Sequence, residues 1–142
     1  MTTWPDGPGV VDLPDGRRVS GRGLRRPPPD GPKPEFGVYL LRTDPGPFAW
    51  PHRWMRWPDF RTPADEVEAL TALRDAYERS AVARVELACH GGVGRTGTAL
   101  AILPRSSGVP AAEAVEWVRA RYHPRAAETP WQRRWVVRTP PG

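Results

Sequence analysis

The stretch that decides the fold is residues 84–97, which read RVELACHGGVGRTG. Its first part, residues 84–88, carries closely spaced apolar side chains and predicts a strand. The glycine-rich loop comes next, and small and apolar residues from 96 to about 103 then predict a buried helix. Glycines let backbone N–H groups turn towards one point and line a small anion-binding bowl. A helix that starts near Arg95 adds its positive N-terminal end to that bowl.

The same loop holds the only cysteine of the chain, Cys89, and an arginine six positions later, Arg95. An arginine fork fits two phosphate oxygens at once. A cysteine at the bottom of such a bowl is favoured as the thiolate, the form that attacks phosphorus. The alternative is a glycine-rich turn between a strand and a helix, built around a buried and inert cysteine.

Residues 88–97, ACHGGVGRTG, resemble the C-x5-R signature of the cysteine-dependent protein tyrosine phosphatases, most often written HCxxGxGRTG. The resemblance implies that Cys89 is the nucleophile and that Arg95 binds the phosphate and stabilises the transition state. It also implies a phosphate-binding loop formed by His90, Gly91, Gly92, Val93, Gly94 and Thr96. Ala88 departs from the pattern, because the family usually has a histidine there that helps to hold the loop and tune the thiol. The short chain is most similar to the small, dual-specificity-like bacterial type.

A second motif lies upstream, at residues 57–63, which read WPDFRTP. It resembles the Trp-Pro-Asp loop of the same family, and this resemblance implies that Asp59 is the general acid and base. Such a group protonates the leaving oxygen in the first step and takes a proton from water in the second. An ordinary Pro-Asp turn is the alternative, since both residues favour turns for local reasons.

A third and weaker motif is ETPWQ at residues 128–132, which is similar to the glutamine loop of the family, usually QTxxQ. The resemblance implies that Gln132 and Glu128 position the hydrolytic water. Glu128 stands where the family has its first glutamine. The alternative is a plain helix N-terminus, because Thr-Pro is a common way to open a helix.

Strands are indicated outside the central stretch as well. Residues 37–42 and 52–57 predict two of them. Residues 10–19 read as a hairpin, with Asp15-Gly16 as the tight turn. Residues 25–32 contain four prolines, so we expect extended, linker-like chain there.

Helices are predicted from caps and apolar spacing. The first begins at Pro63 with Thr62 as its N-cap, and its apolar face consists of Val67, Leu70, Leu73 and Tyr77. A third helix opens at Pro110, after the one that follows the glycine loop. Thr129 caps a fourth helix over residues 130–137.

Strands and helices in this order predict an α/β fold of three layers, with a central and mostly parallel sheet flanked by helices. The glycine loop would then follow the carboxyl end of a strand, where open α/β sheets bind ligands. A length of 142 residues predicts a single phosphatase-like domain over residues 1–142. Residues 1–36 would form a Pro-, Gly- and Arg-rich segment, as a hairpin followed by extended chain.

Composition narrows the function further. The net charge is +5, carried almost entirely by arginine, and no basic run alternates with aromatic residues, so we expect no nucleic-acid partner. No apolar run is long enough to span a bilayer, so we expect no membrane association. A single cysteine suits a reducing cytoplasm. No His or Asp cluster has metal-ligand spacing, and we expect no metal and no cofactor.

These features predict a phosphomonoester hydrolase that works through a cysteinyl-phosphate intermediate. The favoured substrate is a phosphorylated protein, which would make the chain a protein-tyrosine or dual-specificity phosphatase. A small-molecule phosphate, such as a nucleotide, a sugar or a biosynthetic intermediate, is the second reading. A weakly active phosphate-binding module is the third.

Overall fold

A computed structural model of the chain describes residues 2–140. A five-stranded sheet forms its centre, in the order β1-β2-β5-β3-β4. Only β1 and β2 pair antiparallel, and the other three pairings are parallel. The strands are β1 Val10–Asp12, β2 Arg18–Gly23, β3 Phe36–Leu41, β4 His52–Arg56 and β5 Val85–Cys89.

Because β2, β3, β4 and β5 run in the same direction, their carboxyl ends share one edge of the sheet. Four segments therefore meet at this edge: residues 24–26, residues 42–43, the loop from Trp57 and the loop from His90. Edges of this kind are where open α/β sheets bind ligands. The topology thus brings together segments that lie far apart in the sequence.

Four helices accompany the sheet, and α2 packs closely against β5 and β2. The close approach depends on Gly21, where a Cβ would come within 2.8 Å of side-chain atoms of Leu100 and Tyr122. The helix α1 contacts β3 and β4, while α3 and α4 pack on α2. Their bounds are α1 Glu66–Arg79, α2 Gly94–Ile102, α3 Ala114–Arg121 and α4 Pro130–Arg138.

The other face of β2 and β5 is covered without a helix. Ser20, Arg22 and Glu86 point to this side, where the proline-rich segment 28–34 lies over them together with Trp4 and Trp50. The Trp4 indole N–H donates to the carbonyl oxygen of Val85 at 2.9 Å. Irregular chain rich in proline can cover a sheet face in this way because it needs few backbone hydrogen bonds of its own.

The predicted fold class is confirmed: a mostly parallel central sheet with flanking helices. The capped start of α4 is also confirmed, since the Thr129 side chain accepts from the Gln132 N–H and completes a capping box. No helix between residues 2 and 140 has both the length and the apolar character to cross a bilayer.

The predicted start of α1 is wrong by three residues. The helix begins at Glu66 instead of Pro63, and its N-cap is Asp65 instead of Thr62. The Asp65 carboxylate accepts from the Glu68 N–H at 3.0 Å, whereas the Ala64 N–H is bonded to the carbonyl of Arg56 and so belongs to the preceding loop.

The predicted apolar face of α1 is only partly right. Val67 is 77% exposed, while Leu73 is buried together with three alanines, Ala69, Ala72 and Ala76. Small side chains let the helix lie close to the sheet. Leu70 and Tyr77 also pack against the core, so the prediction is wrong for Val67 and misses the three alanines.

Candidate active site

The loop from Cys89 to Thr96, here called the phosphate loop, connects β5 to α2 directly. The Cys89 sulfur accepts two hydrogen bonds, one from the Gly92 N–H at 3.2 Å and one from the Thr96 hydroxyl at 3.0 Å. Both Cys89 and Thr96 are buried. The two donors fix the sulfur at the base of the loop.

Gly92 makes the turn of this loop possible. Its φ is +76°, and an added Cβ would lie 2.7 Å from the backbone carbonyl carbon of Arg22. Its neighbour Gly91 has open space on the side where a Cβ would point. Glycine is therefore required at position 92, because of the backbone conformation and because β2 lies so close, and it is not required for space at position 91.

Tyr122, just beyond α3, holds the phosphate loop from behind. Its hydroxyl donates to the carbonyl oxygen of Gly92. Burial raises the pKa of the Tyr122 phenol, and negative charge at Cys89 and Glu86 raises it further. The phenol therefore keeps its proton and remains a donor, which keeps the Gly92 carbonyl turned away from the sulfur.

Arg95 links the phosphate loop to the loop that carries Asp59. It is only 3% exposed, its Nη1 donates to the carbonyl oxygen of Trp57 at 3.0 Å, and its Nε lies 3.5 Å from Asp59 Oδ1. The Arg95 Nε has no hydrogen-bond partner within residues 2–140. A buried guanidinium with unused donors is suited to an anionic ligand.

Asp59 lies in residues 57–64, here called the acid loop. Its side chain is 48% exposed, and its Oδ1 accepts from the Phe60 N–H at 3.0 Å. Phe60 has a φ of +61°, an uncommon conformation for a residue with a side chain. Such a residue persists only where its surroundings hold it in place.

Hydrogen bonds near both ends of the acid loop stabilise its conformation. The indole N–H of Trp57 donates to the carbonyl oxygen of Arg61 at 2.6 Å. The same indole is buried and packs edge-on against Trp135 of α4, with ring centroids 5.4 Å apart. The Ala64 N–H returns to the carbonyl of Arg56 at the end of β4.

The N-terminal turn of α4 supplies two further anchors. The Gln132 Nε2 donates to the carbonyl oxygen of Arg61 at 3.0 Å, and the Trp131 indole N–H donates to the carbonyl oxygen of Phe60. The accepting carbonyl groups belong to Phe60 and Arg61, the two residues that follow Asp59. The acid loop is therefore held by the helix α4 and by Arg95 together.

Gln132, predicted to position water, makes its hydrogen bonds within the protein. Its side chain is fully buried, and its Oε1 accepts from the Thr129 N–H at 3.1 Å. Glu128 lies with Oε1 against Gly94 at the start of α2, and its Oε2 is 3.3 Å from Arg125 Nη2. Neither side chain lines the cavity beside Asp59. Their role in positioning water stays a prediction.

A cavity of about 820 Å³ opens between the two loops. Asp59 and Arg95 line it, and so does His90, the residue after Cys89. Arg42 and Arg61 add positive charge to its walls. Between residues 2 and 140 no three His, Cys, Asp or Glu side chains lie close enough together to hold a metal ion.

A family model for protein-tyrosine phosphatases matches residues 42–120, which is more than half of the chain. The chain belongs to the protein-tyrosine phosphatase family. Both Asp59 and Cys89 fall within the matched range. As a phosphatase, the enzyme is a hydrolase that acts on phosphorylated substrates.

Solved structures support the assignment of this phosphatase. The crystal structure of Tk-PTP in the active form superimposes with a TM-score of 0.68 at 25% identity, covering 93% of this chain and 95% of that chain. A glycine-to-alanine mutant form of Tk-PTP gives a TM-score of 0.64 at 25% identity, with coverage of 89% and 91%. A search of curated proteins found no significant match.

Sequence reasoning missed several residues of the phosphatase that shape its site. The sequence patterns do not indicate the bond from Tyr122 to Gly92 O or the bond from Trp131 to Phe60 O. The signal for Tyr122 is faint: a tyrosine ending an amphipathic helix has a hydroxyl that needs a partner when it is buried. No local signal points from residue 131 to residue 60.

Proposed function

We propose that the chain is a protein-tyrosine or dual-specificity phosphatase that works through a cysteinyl-phosphate intermediate. The observation that carries the proposal is the position of Arg95, whose guanidinium lies beside Asp59 and bonds to Trp57 O while its own helix begins at the phosphate loop. This arrangement supports one site containing a nucleophile, an anion-binding group and a proton donor. We also propose that residues 1–142 act as one domain, since β1 and β2 extend the sheet that β5 centres.

In the first step the Cys89 thiolate attacks phosphorus opposite the leaving oxygen. The S–P bond forms as the P–O bond to the substrate breaks, and protonated Asp59 gives its proton to the departing oxygen. Arg95 and the backbone N–H groups of residues 90–96 hold the three remaining oxygens. Stabilisation of their charge supplies most of the rate in phosphoryl transfer.

In the second step water attacks the phosphorus of the cysteinyl-phosphate and gives a proton to the Asp59 carboxylate. The P–S bond breaks, inorganic phosphate leaves, and sulfur departs as the thiolate. The Thr96 hydroxyl, 3.0 Å from the sulfur, stabilises this leaving group. The cycle ends with Cys89 ionised and Asp59 protonated, as it began.

Two exposed aromatic side chains near Asp59 favour a protein substrate that carries phosphotyrosine. Phe60 is 52% exposed and Trp131 is 45% exposed, and the two are joined by the bond from the indole to Phe60 O. Rings presented to solvent beside the acid loop can pack against a planar substrate group.

The test uses an aryl phosphate in the presence of EDTA, with vanadate as inhibitor, and the pair Cys89→Ser and Thr71→Ser. We expect the wild type and the Thr71→Ser control, altered on the exposed side of α1, to turn over alike. Cys89→Ser should lose turnover by about 10³-fold or more. Undiminished turnover in Cys89→Ser would rule out the covalent intermediate.

The role of Asp59 is tested by varying the leaving group. Asp59→Asn should lower kcat by about 10²-fold on phenyl phosphate and by much less on p-nitrophenyl phosphate, whose phenolate leaves without help. Equal losses on both would exclude Asp59 as the acid. A panel of phosphotyrosine peptides and small phosphometabolites then ranks substrates by kcat/KM, and a clear preference for a metabolite would reject the protein substrate.

A further inference from the structure

The end of β2 forms part of the rim of the phosphate loop. The Leu24 N–H donates to the carbonyl oxygen of Cys89 at 2.8 Å, and the Arg25 N–H donates to the carbonyl oxygen of His90 at 3.1 Å. The backbone of Arg25 is therefore fixed next to the residue that follows the nucleophile. The side chain of Arg25 therefore begins directly beside the phosphate loop.

A second cavity, of about 690 Å³, opens beside this rim, and we call it the side groove. It is lined by Arg25, Arg26, Phe48 and Trp50. Thr43 and His90 line both the side groove and the cavity beside Asp59. The two cavities therefore adjoin at these residues, along the carboxyl edge of the sheet.

The charge of the side groove is not neutralised by the protein. Arg25 and Arg26 are exposed, and within residues 2–140 their guanidinium groups make no ion pair and no hydrogen bond. Arg22, which also lines the groove, is by contrast paired with buried Glu86. No Asp or Glu lies among the described residues that line it. Two unpaired cations in a concave site attract an anionic group.

The opposite wall of the groove is aromatic and firmly held. Phe48 stacks on Tyr39 with ring centroids 4.0 Å apart and planes 4° apart. The Trp50 indole N–H donates to the Tyr39 hydroxyl at 2.7 Å, and that hydroxyl donates to Glu86 at 2.8 Å. A wall that is fixed before binding loses little freedom when a ligand arrives.

Resting on the phosphatase function above, we propose that the side groove binds a second anionic side chain of a phosphopeptide substrate. Arg25 and Arg26 hold that group, either a carboxylate or a second phosphate, while the phosphotyrosine occupies the cavity that Asp59 and Arg95 line. Two adjoining cavities favour a peptide over a metabolite, because an extended peptide can place one side chain in each.

The test uses phosphotyrosine peptides that are identical except for one position. Alanine is replaced in turn by glutamate or phosphoserine at each of the three positions on either side of the phosphotyrosine. Binding to Cys89→Ser protein is measured by fluorescence anisotropy, and kcat/KM is measured on the wild type. We expect one side to show a preference of about 3- to 10-fold for glutamate, and a larger one for phosphoserine, both falling as salt is raised.

Arg25→Ala and Arg26→Ala should each reduce this preference, and the double variant should abolish it. The matched control is Arg134→Ala, which removes an equal charge from an exposed position outside the groove. All of these variants should hydrolyse p-nitrophenyl phosphate as the wild type does, which also shows that they are folded.

The inference is overturned if the glutamate preference is absent, if it survives in the double variant, or if Arg134→Ala removes it equally. Stronger binding of a small bisphosphate than of any peptide would overturn it as well. Failure of the wild type to hydrolyse any aryl phosphate would instead count against the proposed function, while the anisotropy measurement still decides the groove.

Discussion

The phosphate loop and the acid loop meet at Arg95 but are held in place by different parts of the chain. The first lies between β5 and α2, its neighbours in sequence, with Cys89 and Gly92 buried, and β2 and Tyr122 support it from elsewhere. The acid loop is exposed at Asp59 and Phe60 and depends on α4, about 70 residues further on. The nucleophile is thus placed largely by local structure, and the proposed acid by long-range contacts.

This difference predicts which substitutions should affect phosphoryl transfer itself and which should affect protonation of the leaving group. A change inside the phosphate loop should affect every substrate, because all share the phosphoryl group. A change in the anchors of the acid loop should affect substrates in proportion to their need for a proton. Four substitutions test this separation.

Gly92→Ala should have the largest effect. The alanine meets both an unfavourable φ of +76° and the backbone of β2, so we expect a loss of about 2–4 kcal/mol in the free energy of unfolding. Turnover should fall by about 10³-fold on good and poor leaving groups alike. Gly91→Ala is the matched control, because its Cβ has open space, and it should keep most of the activity. Similar losses in both variants would contradict the geometry described for Gly92.

Gln132→Ala removes the bond to Arg61 O together with half of the capping box of α4. We expect kcat to fall about 10-fold more on phenyl phosphate than on p-nitrophenyl phosphate. Thr129→Ala is the control, because it breaks the other half of the capping box and leaves the bond to Arg61 O in place. Each should lower the free energy of unfolding by about 1 kcal/mol. An equal dependence on the leaving group in the two variants would show that Gln132 acts through the helix alone.

Tyr122→Phe tests the support behind the phosphate loop. Loss of the hydroxyl frees the Gly92 carbonyl, so the inhibition constant of inorganic phosphate should rise about 3- to 10-fold, with no dependence on the leaving group. Tyr77→Phe, which removes a hydroxyl bonded to Asp15 far from the site, should leave that constant unchanged. A leaving-group effect in Tyr122→Phe would place its action on the acid loop instead.

Trp131→Phe should have the smallest effect. It keeps an exposed aromatic ring but deletes the N–H that bonds to Phe60 O. Amide hydrogen exchange at residues 59–62 should become about 2- to 5-fold faster, and kcat on phenyl phosphate should fall about 2-fold. Exchange in the phosphate loop should be unaffected. Faster exchange in both loops would mean that they move as one unit.

The phosphate loop was readable from the sequence because its parts are adjacent. A strand, glycines, an arginine and a helix of small residues follow one another within residues 84–103, and each is favoured by local chemistry. The capped start of α4 was readable for the same reason. The resemblance at residues 57–63 predicts a role for Asp59, but nothing nearby in the sequence indicates what fixes the loop around it.

The errors arise where tertiary contacts override local preference. Thr62 and Pro63 have the chemistry of a helix start, yet Ala64 is bonded to Arg56 and so keeps this segment in the acid loop. Likewise, Arg25 and Arg26 read as part of a linker. Their place beside the phosphate loop depends on the parallel pairing of β2 with β5, whose residues are about 65 positions apart.

The anchoring of the acid loop by α4 also has a consequence for the order in which the enzyme is made. On the ribosome, β5, the phosphate loop and α2 emerge before α4 does. A nascent chain released after residue 128 would contain the nucleophile and the arginine but would lack Trp131, Gln132 and Trp135. Its acid loop would lack these contacts, and we expect Asp59 to be held in place only once α4 has been synthesised.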